Sequence, residues 1–230
     1  ALASLGACTV VPVPTAGPAD ISESQSEVAG VPLPPREAAR NFRTVVTRME
    51  PVVEAECRRL APQLNCDFAI LVDDRTSQPP NAFQTQDDNG RPLLGFTVSL
   101  IADVQNVDEL AFVFGHEAAH HIAGHIDRQQ ANAQLGAVSL GALAAQIGGS
   151  EASIRAAQQL GAAVGARSYS KDFELEADEL GTILNKRAGF DPVRGAAYFT
   201  RVPDPGNRFL GTHPPNAARI EIVRRTAAAH

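Results

Sequence analysis

Tryptophan is absent from this 230-residue chain, tyrosine occurs twice, and the single methionine is Met49. A chain whose only methionine is internal does not open on an initiator, so the expectation is of a leader lost or removed ahead of Ala1. Basic runs are missing as well. Lys+Arg 20 against Asp+Glu 26 leaves a net charge of −6, which argues against nucleic-acid binding through a basic face, and no nucleic-acid partner is expected. Long hydrophobic runs are lacking too. The most apolar stretch, Leu135 to Gly149, has about fifteen residues against the roughly 20 needed to cross a bilayer. What remains, 44% hydrophobic and 20% charged residues, suits one buried core in a globular domain and excludes disorder for most of the chain.

The opening Ala1-Leu2-Ala3-Ser4-Leu5-Gly6-Ala7-Cys8 reads as the tail of a secretory signal, and Leu5 to Cys8 resembles a bacterial lipobox in which Cys8 carries the lipid. An ordinary signal tail with an incidental cysteine is the alternative. In resembling lipoproteins, lack of Asp after the cysteine goes with outer-membrane sorting, and here Thr9 follows. Residues 9–35 hold Pro12, Pro14, Pro18, Pro32, Pro34 and Pro35 among small residues, the composition of an extended tether, with a loop packed on the domain as the alternative. The expected organisation is therefore a signal remnant (1–8), a tether (9–35) and one domain (36–230). It implies a periplasmic protein anchored through Cys8 to lipid, the outer membrane by preference. Cys57 and Cys66 remain as a candidate disulfide in an exported chain, with buried free thiols as the alternative.

Within the domain, Ala39, Phe42, Val45, Val46 and Met49 recur at helical spacing from Arg36 to Leu60, with Pro51 a kink or restart. Phe68 to Val72 reads as a strand. Asn81 to Thr85 and Leu93 to Ser99 read as a hairpin about the Asp87-Asp88-Asn89-Gly90 turn. After Asn106 or Asp108 as cap, the pattern turns helical again.

That helix contains His116-Glu117-Ala118-Ala119-His120. In this HExxH spacing two imidazoles one turn apart can reach one zinc ion, while Glu117, about 100° around the helix, stands beside the metal as general base for an activated water. A catalytic zinc needs a third protein ligand. Ala123 and Ile126 occupy the positions where a metzincin requires Gly and His, so that solution is rejected. Downstream, Glu174 and Asp178 share a helix face at i,i+4, so that one can ligate zinc while the other hydrogen-bonds a ligand imidazole; Glu176 points the other way.

These motifs occur in the order Asn81-Ala82-Phe83, Asp108-Glu109-Leu110, His116 to His120, Glu174-Leu175-Glu176-Ala177-Asp178, Gly189-Phe190-Asp191-Pro192, and Thr212-His213-Pro214-Pro215 with Arg219. The series resembles the gluzincin peptidases that include HtpX-type heat-shock proteases, CAAX prenyl proteases and periplasmic outer-membrane quality-control proteases. The resemblance implies one zinc per chain held by His116, His120 and Glu174, with Glu117 as base and Asp178 supporting a ligand. It implies a substrate-binding edge strand at Asn81, Ala82 and Phe83. His213 would face the metal as oxyanion donor or as a fourth, inhibitory ligand; Arg219 would hold that loop or bind a substrate carbonyl.

The implied fold is α+β and zincin-like, a mostly helical body with a small antiparallel sheet. The implied activity is zinc endopeptidase action on polypeptides of the envelope, misfolded or misassembled ones; the alternative is an autoinhibited, zinc-bound scaffold that seldom cleaves. His121 and His125 are read as surface or hydrogen-bonded histidines rather than a second metal site. Leu135 to Gly165 is read as two small-residue helices forming a lid or hairpin, with a lipid- or partner-facing surface as the alternative.

Overall fold

A computed structural model describes residues 31–230 apart from Tyr169, Phe209, Leu210 and Thr212. Cys8 and all but the last five residues of the expected tether lie outside the described residues. Of those five, Leu33 is docked on the domain: its N–H donates to the Ala102 carbonyl at 2.7 Å.

The first helix, α1 (Pro35–Leu60), turns Val45, Met49, Val53 and Cys57 inward at steps of four residues, and all four are fully buried. It continues through Pro51. The proline removes the donor to the Thr47 carbonyl, but Pro51 and Thr47 both lie on the exposed face, which leaves that carbonyl open to solvent. Cys57, near the end of this helix, is joined to Cys66 by a disulfide with Cα atoms 5.7 Å apart. Closing so short a loop contributes about 2.5 kcal/mol in the chain-entropy picture. Reduction with thiol is therefore expected to lower the denaturant midpoint by the equivalent of about 2.5 kcal/mol, and an unchanged midpoint would rule out a stabilising bridge.

Three strands follow: β1 (Ala69–Asp73), β2 (Ala82–Gln86) and β3 (Pro92–Thr97). The hairpin forms as expected, with Gly90 at φ 74 in its turn and Phe83 paired with Gly95. The sheet is not wholly antiparallel, however. Its order is β1-β3-β2, and β1 runs parallel to β3. The physical reason is that β3 carries Leu94 and Phe96, both fully buried. It therefore takes the centre, and β1, half exposed at Leu71 and Val72, is left to an edge. The Asp74 to Asn81 link then carries the chain across β3 to the opposite edge.

A short helix, α2 (Val98–Asp103), leads to α3 (Val107–Ile122). The Asn106 side chain caps α3 by accepting from the N–H groups of Asp108 and Glu109. Helix α3 is the centre of the molecule. Leu110, Ala111, Phe114, Ala118 and Ala119 are enclosed, with the sheet on one side and α6 (Ser170–Arg187) on the other. Two glycines set how closely α3 and α6 approach. A Cβ on Gly115 would stand 3.0 Å from the Gly181 carbonyl, and one on Gly181 would stand 3.0 Å from the His116 nitrogen.

Between those helices, α4 (His125–Gln146) and α5 (Glu151–Ser168) form a hairpin. Its two arms touch backbone to backbone at Gly136 and Gly161. Leu135 (67% exposed) and Ile147 (78%) face outward. The expected hairpin is present, and among the described residues of α4, His125, Ile126 and Gln129, at its base, line the main cleft. No described helix is long and apolar enough to cross a membrane. The chain closes with α7 (Pro192–Gly195), a 3-10 turn (Ala196–Thr200) and α8 (Asn216–Ala229). Arg201 anchors this end to the start of α3 through two hydrogen bonds to Glu109, at 2.7 and 2.6 Å.

Candidate active site

His116 and His120 lie one turn apart on α3, and Glu174 meets them from α6. Their donor atoms all fall within 4.8 Å of one another. The two Nε2 atoms are 3.0 Å apart, and Glu174 stands 3.5 Å from His116 and 3.3 Å from His120. Two imidazole nitrogens and a carboxylate oxygen that converge in this way can share one cation. Burial and the Arg219 charge disfavour a proton on His116, yet its hydrogen bonds to Asp178 and Glu174 push its pKa up to about 10. Burial likewise opposes charge on Glu174, and the His116, His120 and His213 imidazoles nonetheless hold its carboxyl well below the usual range. Two nitrogens and one carboxylate oxygen suit zinc, and a three-residue set leaves a position open.

Asp178, with 0% of its surface exposed, sits one turn beyond Glu174 on α6. Its Oδ1 lies 2.9 Å from His116 Nδ1. Arg219 from α8 completes the carboxylate, donating from Nε to Oδ2 and from Nη2 to Oδ1, both at 2.7 Å. The guanidinium in turn lies 4.0 Å over the Phe199 ring. Arg219 is thus paired with Asp178 behind His116, and it also borders the cleft. Glu117 lines the cleft beside this cluster without joining it. His213, 54% exposed in its side chain, lies with Nδ1 3.0 Å from Glu174 Oε2.

The cleft encloses about 600 Å³. Asn81, Ala82 and Phe83 form one wall. The Asn81 N–H donates to the Thr97 hydroxyl and the Thr97 N–H to the Asn81 carbonyl, each at 3.0 Å, which fixes the entry of β2. The other wall is Tyr198, Phe199, Val202 and Pro203. In the described sheet β2 pairs with β3 alone, so its outer edge faces the cleft.

The sequence reading missed one connection. His125 is buried, and its Nδ1 lies 2.8 Å from His120 Nδ1, while its Nε2 lies 3.2 Å from Glu176. Burial and the neighbouring His120 push its pKa down to about 4. Counting from His116 along one continuous helix puts His125 on the opposite face. The helix instead ends at Ile122, and Gly124, at φ 65, turns the chain so that His125 comes beneath His120. Glu176 does point away from the donor cluster, as expected, but towards His125. His121 is a buried, hydrogen-bonded histidine: its Nε2 meets the Asn65 carbonyl at 2.8 Å.

A central helix bearing HExxH, a glutamate brought to it from a second helix, and an edge strand along the cleft define a zincin-type metallopeptidase of the glutamate-ligand class. The sequence profile of peptidase family M48 matches residues 45–227, and the chain belongs to that family of zinc-dependent metallopeptidases. It is similar to the putative beta-barrel assembly-enhancing protease of Vibrio cholerae serotype O1, with 33% identity over 123 residues, 50% of this chain and 25% of that protein. It is also similar to the beta-barrel assembly-enhancing proteases of Escherichia coli O157:H7, 31% over 139 residues (53% and 28%), and of Yersinia pestis, 29% over 147 residues (56% and 29%). The chain thus matches under a third of the length of these relatives.

Proposed function

We propose that the chain is a zinc endopeptidase in which His116, His120 and Glu174 hold the metal and Glu117 is the general base. The observation that carries this reading is the convergence of those three donors, within 4.8 Å, at the floor of a cleft that Glu117 also lines. Zinc bound there supplies Lewis acidity, which polarises a carbonyl and brings the pKa of water down to about 7. The chain's own residues do the rest. Asp178, clamped by Arg219, holds the His116 ring in place. Glu117 takes a proton from the attacking water and returns it to the departing amine. An extended substrate lies along Asn81 and the start of β2, Ala82 and Phe83, where main-chain hydrogen bonding accepts varied side chains. His213 donates a hydrogen bond to the oxyanion.

The substrates proposed are misfolded or misassembled envelope polypeptides, a reading supported by the names of the relatives. The proposed location is the periplasm, with Cys8 lipid-anchored in the outer membrane and the residues from Thr9 to the docked Leu33 as the tether. The test is cleavage of a casein-type unfolded protein. Chelation should stop it and added zinc restore it; cleavage indifferent to chelator would overturn the reading. A second reading is favoured by the 3.0 Å approach of His213 to Glu174. In it His213 fills the fourth ligand position and the protein idles as a scaffold. His213→Ala separates the two: a loss of turnover of about 10²-fold or more supports the oxyanion role, and a gain supports the idle state.

A further inference from the structure

The two histidines of the donor cluster are held from behind by different devices. Behind His116 stands a carboxylate, Asp178, in direct contact at 2.9 Å. Behind His120 stands a second imidazole. His120 Nδ1 lies 2.8 Å from His125 Nδ1, His125 Nε2 lies 3.2 Å from Glu176 Oε2, and Arg128 donates to that same oxygen at 2.8 Å. The His125 ring is packed flat on Phe173, with centroids 4.6 Å apart and planes 13° apart, and Arg128 lies 4.4 Å over the same ring. The chain of contacts is therefore fixed by packing as well as by hydrogen bonds.

Resting on the reading of His120 as a zinc ligand, we propose that His125 and Glu176 form a positioning chain that sets the tautomer and ring orientation of His120. The hydrogens run in one direction only. A neutral His120 that presents its Nε2 lone pair to a metal carries its proton on Nδ1, and that N–H donates to His125 Nδ1. The His125 proton is then on Nε2, where it donates to Glu176, and Glu176 accepts again from Arg128 to close the chain. Each donor meets one acceptor. The result is a carboxylate-to-metal-ligand support of the kind that orients metal-bound imidazoles, lengthened by one histidine. Glu176 lies on α6 two residues past Glu174 and meets His125 and Arg128, and His125, at the start of α4, links it to His120.

The experiment measures zinc affinity, by competition with a chromophoric chelator, together with the melting temperature of the metal-free protein. His125→Phe keeps a flat ring against Phe173 and removes both nitrogens. It is expected to weaken zinc binding about 10- to 100-fold. His125→Asn returns an acceptor oxygen near the site of Nδ1 and is expected to recover most of that loss. Glu176→Met, at a side chain 44% exposed, is expected to weaken binding about 10-fold, the lower end for loss of such a support, with the metal-free melting temperature unchanged. Wild-type affinity in His125→Phe, equal losses in the Phe and Asn variants, or wild-type affinity in Glu176→Met would each overturn the proposal. His116→Ala serves as the control for the underlying reading. If it binds zinc as tightly as the wild type, the ligand assignment itself fails; if it loses zinc while His125→Phe and Glu176→Met do not, only the positioning chain fails.

Discussion

Glu117→Gln is expected to leave zinc bound at one equivalent and to lower peptide-bond hydrolysis at least about 10²-fold, the range that loss of a positioned general base commands. The amide has nearly the shape of the carboxylate, so the cleft wall to which Glu117 belongs is preserved. It has no basic oxygen able to hold a proton between the attack of water and the departure of the amine. Zinc retention follows from position, since Glu117 is outside the donor trio of His116, His120 and Glu174. Metal content and turnover measured on the same preparation check both halves. Undiminished cleavage removes Glu117 from the mechanism.

Arg219→Met is expected to destabilise the protein by about 3–5 kcal/mol, the usual cost of stranding one partner of a buried ion pair. At roughly 2–4 °C per kcal/mol for a chain of this size, the melting temperature should fall on the order of 10 °C. Asp178 is completely enclosed and takes two of its contacts from Arg219. Without the guanidinium its remaining side-chain partner among the described residues is the His116 ring, so zinc binding should weaken as well. Arg219→Lys keeps the charge but not the two-pronged geometry and should fall between. The cause is isolated by a double variant: Arg219→Met with Asp178→Asn removes the stranded charge and should recover part of the loss. A melting temperature within 2 °C of wild type in Arg219→Met would show that the pair is not what holds α8 to α6.

Much of the site was legible before any fold was known, because it depends on spacing inside single helices. His116 and His120 share a face by the geometry of one turn, as do Glu174 and Asp178, and Asn106 caps α3 through bonds to residues two and three positions away. The burial of Val45 and Met49 follows from the same local periodicity, whereas Ala39, read on the same face, is exposed and Ala38 is buried instead. The bonds and angles that settle these relations span a few residues, so a linear pattern suffices to specify them. The position of β3 between β1 and β2, the approach of α3 to α6 across Gly115 and Gly181, and the clamp of Arg219 on Asp178 are of another kind. They depend on which apolar surfaces compete successfully for the core, a property of many residues at once. His125 shows the boundary most clearly. Its distance from His120 in sequence is five residues, yet its contact with that residue exists only because α3 ends at Ile122 and Gly124 takes a left-handed conformation. Periodicity holds while a helix continues and says nothing once the backbone turns, and from there packing against Phe173 and Glu176 decides where the imidazole goes.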